Sequence, residues 1–281
     1  MRPLQTLLTV LLAAVSAFAL ASCGNPTPGP RRVGGSGEAP FVGHVHGLGV
    51  DPADQVLYVA AHGGVFRLAD GALELVANRA QDTMGFTVVG PRHFLASGHP
   101  APTDRDRPGH LGLIESRDAA ATWTDVSLSG KADFHSIEPA PGRVYGYDSQ
   151  TGTVMATTDH ATWVPLMRGD VYDLAAHPSR PNHVLATTGR GVVQLIGTKQ
   201  TELSTPTELA VLEWPADNLL VGVNAKGAVY RSPDGGTTWA AAGQVPGAVE
   251  AFSAETTGWF VATDEGIFSS TDLGTRWVRI L

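Results

Sequence analysis

The chain is 281 residues long and carries a formal net charge of −8, with 27 acidic residues against 19 basic ones. That balance makes nucleic acid a poor candidate partner, since such a partner requires a basic footprint. The single cysteine, Cys23, has no partner with which to form an intramolecular disulfide.

Residues 1–22 hold one early basic residue, Arg2, and then an apolar run through Leu4, Leu7, Leu8, Val10, Leu11 and Leu12 to Leu20. The run ends on small residues followed by a polar stretch, which is the pattern of a signal peptide rather than of a membrane span. Its end, Leu20-Ala21-Ser22-Cys23, resembles a bacterial lipobox. The resemblance implies cleavage before Cys23 and lipidation there. Lipid chains on Cys23 would hold the protein at the extracytoplasmic face of the cell membrane without crossing it. Residues 23–40 then form the lipidated cysteine and a flexible linker, since GNPTPGPRRVGGSGEAP has many chain breakers and no apolar periodicity. A flexible coil of these 17 residues spans roughly 23 Å.

From residue 41 to residue 281, runs rich in Val, Leu, Tyr, Phe and Thr alternate with Gly, Pro, Asn and Asp turns, and no helical periodicity persists. The class is therefore all-β. A marker recurs through this region: Ser232-Pro233-Asp234-Gly235-Gly236-Thr237-Thr238-Trp239, with imperfect copies at 270–277, 116–123 and 157–163. Its tryptophans, Trp123, Trp163, Trp239 and Trp277, lie 40, 76 and 38 residues apart, the middle interval being twice 38. A fixed period of that size marks a repeat architecture. The physical logic is local: Asp accepts N–H bonds inside its own turn, Gly permits positive φ, and Trp anchors the following strand. The motif resembles the Asp-box (BNR) repeat of sialidases and related propellers. Residues 232–239 match fully, whereas Arg276 replaces Thr, Ala120 replaces Gly, and the copy at 157–163 is one residue short. The resemblance implies a six-bladed β-propeller of four-stranded blades, with Asp-box turns away from the functional face. The folded region is also similar to exported bacterial lipoproteins labelled sialidase-like or glycosyl-hydrolase-like.

Divided at the repeat, 41–281 gives six units, about 43–80, 81–132, 133–169, 170–207, 208–247 and 248–281. In a propeller the first strand of each unit lines the central channel. Strand direction alternates within a blade, so the start of strand one and the end of strand two share a face. His44, His46, Asp82, Met84, Asp133 and His135 are thereby expected on one rim with His62 and His99. Residues 100–109, PAPTDRDRPG, lengthen the second unit and are expected to rise from that rim beside His99. Without Arg2, Arg31, Arg32 and Glu38 the chain keeps 16 basic and 26 acidic residues, a net charge of −10, a sign that favours cations.

The candidate metal ligands are His44, His46, His62, His99 and His135, with Met84. Imidazole with thioether suits copper, and imidazole with carboxylate suits zinc. Asp82, Asp133, Tyr172, Asp173 and Glu250 are candidate ligand-binding residues of the same rim, whose ligand would be a small molecule, a glycan or a metal ion. His110, His160, His177 and His183 are assigned to turns or outer strands and to structural roles. The sialidase resemblance implies an arginine triad and a Tyr nucleophile, but neither is identifiable in this chain. Two readings stay open beside metal binding: an exo-glycosidase using rim carboxylates such as Asp82, Asp133, Asp173, Glu213 or Glu250, and a scaffold for protein assembly. A monomer is expected.

Overall fold

The computed structural model describes residues 42–255 and 258–281. The signal peptide, Cys23 and the linker lie outside the described residues. Six antiparallel sheets of four strands follow one another along the chain, each with its strands in sequence order. Blade one comprises β1 (Val45–Val50), β2 (Leu57–Ala61), β3 (Gly64–Ala69) and β4 (Ala72–Leu75). Blade two comprises β5 (Asp82–Gly90), β6 (His93–His99), β7 (Leu113–Ser116) and β8 (Thr124–Ser127). In the third are β9 (Phe134–Ala140), β10 (Arg143–Asp148), β11 (Thr153–Thr157) and β12 (Val164–Arg168). The fourth contains β13 (Val171–Ala176), β14 (His183–Thr188), β15 (Gly191–Ile196) and β16 (Lys199–Leu203). β17 (Val211–Ala216), β18 (Leu219–Val223), β19 (Ala228–Ser232) and β20 (Ala240–Gln244) make the fifth. The last is β21 (Val249–Glu255), β22 (Gly258–Thr263), β23 (Gly266–Ser270) and β24 (Val278–Arg279). The first strands of neighbouring blades pack side by side, and β21 returns to β1, so the six sheets close into a β-propeller. Among the described residues, no helix is long and apolar enough to cross a membrane.

Burial explains the closure. A single blade cannot cover its own apolar faces, and the buried side chains fall into six clusters, one between each pair of neighbours. Phe86, Phe94 and Tyr58 join blades one and two, for example, and Leu209, Leu212 and Trp214 join four and five. The repeat tryptophans serve this packing, because each lies against the cluster between its own blade and the preceding one: Trp123, Trp163, Trp239 and Trp277 in turn. The four Ser/Thr-x-Asp turns connect the third and fourth strands of blades two, three, five and six. In the turn after β19, the Ser232 hydroxyl accepts the Gly236 N–H at 2.8 Å and donates to Asp234 at 2.9 Å, while Asp234 accepts the Thr238 N–H at 2.8 Å. Gly236 sits at φ +93°, a region side chains resist.

Polar side chains at the inner strands join the blades as well. Asp51 accepts the Arg92 N–H at 2.9 Å, and Ser97 accepts the Phe134 N–H at 3.0 Å. Glu138 accepts from Ala176 at 3.1 Å, Asp173 from Leu212 at 2.9 Å, and Glu213 from the Ala254 N–H. Among the described residues, no strand is shared between the last blade and the first. Instead Glu250 and Glu255 of β21 accept the N–H groups of Val45 and Val50 on β1, at 3.1 and 2.9 Å.

Candidate metal centre at the rim

β1 starts on one flat side of the disc and β2 ends there, and the same holds for β5 and β6. His44 and His46 at the β1 entry, His62 just beyond β2, Asp82 at the head of β5 and His99 at the tail of β6 therefore gather on one rim. The hairpins between third and fourth strands, with their Ser/Thr-x-Asp turns, occupy the other side.

The histidines do not converge on one point; they form two groups. In the first, His46 Nε2 lies 3.3 Å from His62 Nδ1, which lies 3.0 Å from Asp82 Oδ1. The third edge, His46 Nε2 to Asp82 Oδ1, is 3.9 Å. Ligand atoms bound to one ion through bonds of about 2.0–2.2 Å stand about 3–4 Å apart, so this triangle has the dimensions of one face of a metal site. His44 flanks it, its ring centroid 4.9 Å from that of His46 and its Nδ1 3.5 Å from Glu250 Oε1. Burial pushes the His46 imidazole down to about 3, helped by the neighbouring His44 and His62 charges. Near neutral pH His46 is thus uncharged and has a lone pair to offer.

The second group is centred on Asp133, which is 3% exposed. His135 Nε2, His110 Nδ1 and His99 Nε2 stand 3.1, 3.7 and 3.8 Å from its Oδ2, and the Ser149 hydroxyl donates to the same oxygen at 3.1 Å. Burial alone would raise the Asp133 carboxyl, but the His135 hydrogen bond and the His135 and His99 charges prevail and hold it below its ordinary value. Each group offers two imidazoles and a carboxylate with ligand atoms within 4.8 Å of one another, His46, His62 and Asp82 in one and His99, His110 and Asp133 in the other.

His110, read from the sequence as a structural residue of a turn, stands in the structure 3.7 Å from Asp133 Oδ2 within this second group. Both ends of the insertion return to the rim, because the Leu111 N–H bonds the Gly98 carbonyl at 2.9 Å. Gly98 itself allows β5 and β6 to approach closely there: a Cβ at its φ of +139° would stand 2.1 Å from the Asp82 carbonyl. Loop closure was the available signal, since the residue that follows an insertion must come back beside the one that precedes it. The loop packs down rather than standing free, with Arg79 bonded to Asp104 at 2.5 Å, Arg107 paired with Asp125, and Ala101 buried. Met84 lies on β5 two residues past Asp82, within the shift of register between Thr83 and Phe86.

The remaining rim candidates are dispersed. Tyr172 is 53% exposed on blade four. Asp173 points into the central channel, a cavity of about 280 Å³ that also borders His46, His135, Glu138, Glu213 and Glu250. The channel acids touch this space but are otherwise enclosed by protein. Desolvation pushes Asp173 up to about 7 and raises Glu138, while Glu213 is raised by burial and then by the Glu138 and Asp173 charges. His177 and His183 pack with Trp214 at the far end of β13 and the start of β14, away from both groups.

No protein-family model matches the chain, and no curated protein does. Solved propellers do resemble it in fold. A gluconolactonase from Xanthomonas campestris superposes with a TM-score of 0.65 at 12% identity, over 85% of this chain and 94% of that one. YCF48 bound to a D1 peptide gives 0.60 at 13% identity, over 80% and 92%. An ancestral GH74 enzyme gives 0.51 at 13% identity, over 81% of this chain and 36% of that one. At these identities the likeness shows a shared propeller fold alone.

Proposed function

We propose that the protein is an exported propeller, tethered to the extracytoplasmic face of the membrane through Cys23, whose rim binds a transition-metal ion. The observation that carries this reading is the triangle of His46 Nε2, His62 Nδ1 and Asp82 Oδ1, with edges of 3.3, 3.0 and 3.9 Å. Two imidazoles and a carboxylate suit zinc or copper(II) and leave a coordination position for water or a ligand. His44, half-exposed at the mouth, is placed to receive an incoming ion, and Met84 would add a soft donor if the ion were copper(I). The Ser/Thr-x-Asp turns on the far side serve as Asp boxes that hold the hairpins. The test is calorimetric titration of the metal-stripped protein with Zn(II) and Cu(II). A His46→Ala/His62→Ala double variant that binds as the parent does would overturn the proposal.

A second reading rests on the channel. Asp173, raised to about 7, shares the cavity with Glu250, so a proton donor and a second carboxyl line one space, as glycoside hydrolysis requires. Cleavage of aryl glycosides that disappears in Asp173→Asn, with metal binding unaffected, would establish this reading instead. A protein partner retained on the rim through the 100–109 insertion would point to the scaffold role.

A further inference from the structure

We infer that His99, His110 and Asp133 form a second divalent-metal site, built by the insertion of blade two and separate from the His46, His62 and Asp82 group. It does not depend on the first group holding an ion.

Three observations carry it. The first is a pair of buried atoms that have no hydrogen-bond partner among the described residues, His110 Nδ1 and Asp133 Oδ1. Burying a polar atom unpaired is costly, and two such atoms on facing residues of one cluster call for a common partner. The second is spacing. His99 Nε2 and His110 Nδ1 stand 3.8 and 3.7 Å from Asp133 Oδ2, too far for hydrogen bonds but matching the separation of ligands around one ion. The third is the support behind the ligands. The other ring nitrogen of His99, Nδ1, is 2.8 Å from the Gly109 carbonyl, a contact in which Nδ1 donates and which turns Nε2 toward Asp133. A ligating histidine oriented through its second nitrogen by a backbone carbonyl is the usual outer arrangement of a metal site.

The insertion supplies Gly109, and His110 follows directly on it and is held firmly. The His110 carbonyl accepts the Gly130 N–H at 2.8 Å, and the adjacent Leu111 is fully buried. Ser149 and His135 fix the Asp133 carboxylate through Oδ2, at 3.1 Å each, and so hold it facing His99 and His110. Two imidazoles and one carboxylate would leave at least one position for water, and the donor set is that of zinc or copper(II) rather than of calcium or magnesium.

The experiment counts Zn(II) ions per full-length chain by elemental analysis after gel filtration of metal-saturated protein. Two ions are expected for the parent, one for His110→Ala and for the milder His110→Gln, and one for His62→Ala. Circular dichroism and thermal melts establish that each variant is folded, and if His110→Ala is not, His110→Gln decides. A parent that binds one ion, lost in His62→Ala and kept in the His110 variants, overturns this second site while leaving the first intact. One ion lost only in the His110 variants supports the second site and refutes the first. No bound zinc overturns both.

Discussion

Asp82 and His99 face each other directly across the β5–β6 pair, yet Asp82 belongs to the group of His46 and His62, and His99 to that of His110 and Asp133. Opposed side chains of an antiparallel pair have Cβ atoms about 5 Å apart, which places ions held by them within roughly 10 Å of each other. Protein loaded with two Cu(II) per chain should therefore give an electron paramagnetic resonance spectrum broadened by dipolar coupling. In His110→Ala the spectrum should revert to that of an isolated ion. An uncoupled spectrum from doubly loaded parent would refute this proximity.

Removing one ligand should remove most of the affinity of the first site. Disturbing only a supporting partner of a ligand commonly costs 10- to 100-fold, so Asp82→Asn should weaken Zn(II) binding there by at least about that much. With free Zn(II) at about 100 times the dissociation constant, ligation stabilises the folded parent by about 2.7 kcal/mol, or roughly 5–10 °C in melting temperature. The portion of the melting shift that His62→Ala removes should be absent from Asp82→Asn too.

The channel and the rim respond to pH with opposite signs. Asp173 is raised by burial to about 7, against an ordinary aspartate value of about 3.9. A carboxyl shifted this way favours the fold while protonated: its contribution is complete below about pH 4 and is lost as pH rises through about 7. Burial moves Glu138, Glu213 and Glu255 in the same direction. The melting temperature of metal-free protein should fall between pH 4 and 7, and Asp173→Asn should flatten that slope. His46, lowered to about 3, withdraws stability only as pH drops below its ordinary 6.5, and His46→Gln should remove that acid limb. Melting curves of the parent and the two variants across this range provide the check, and an unchanged slope in Asp173→Asn would count against the channel assignment.

Ring closure by side chains is open to a direct test. Glu255 accepts the N–H of the buried Val50 at 2.9 Å, so Glu255→Ala strands that donor and should cost about 1–3 kcal/mol in a denaturant titration. Glu255→Gln keeps an acceptor oxygen and should cost much less. Equal losses in the two variants would mean that the hydrogen bond is not what closes the ring.

The turn after β19 makes the same kind of demand. Ser232 is fully buried and its hydroxyl is the acceptor for the Gly236 N–H, so Ser232→Ala should destabilise the protein by about 1–3 kcal/mol. Metal binding on the opposite face should be unaffected, as read by titration of the same variant.

The repeat alone determined the architecture. Trp123, Trp163, Trp239 and Trp277 mark units whose length is that of four short strands, and such units must stack to bury their apolar faces. Six blades and the rim carrying His44, His46, His62 and His99 follow from strand alternation, which is a local property of the chain. Which imidazoles meet was decided only by the tertiary structure. His110 reads as a turn residue because its neighbours in sequence are loop residues, and only closure of the insertion onto Gly98 sets it beside Asp133. Asp173 likewise reads as a rim acid, whereas curvature of the closed ring brings the Leu212 N–H within 2.9 Å and makes it a joint between blades. Periodicity records how a strand alternates; it carries no record of the angle at which neighbouring sheets meet, and that angle selects the side chains that share a site.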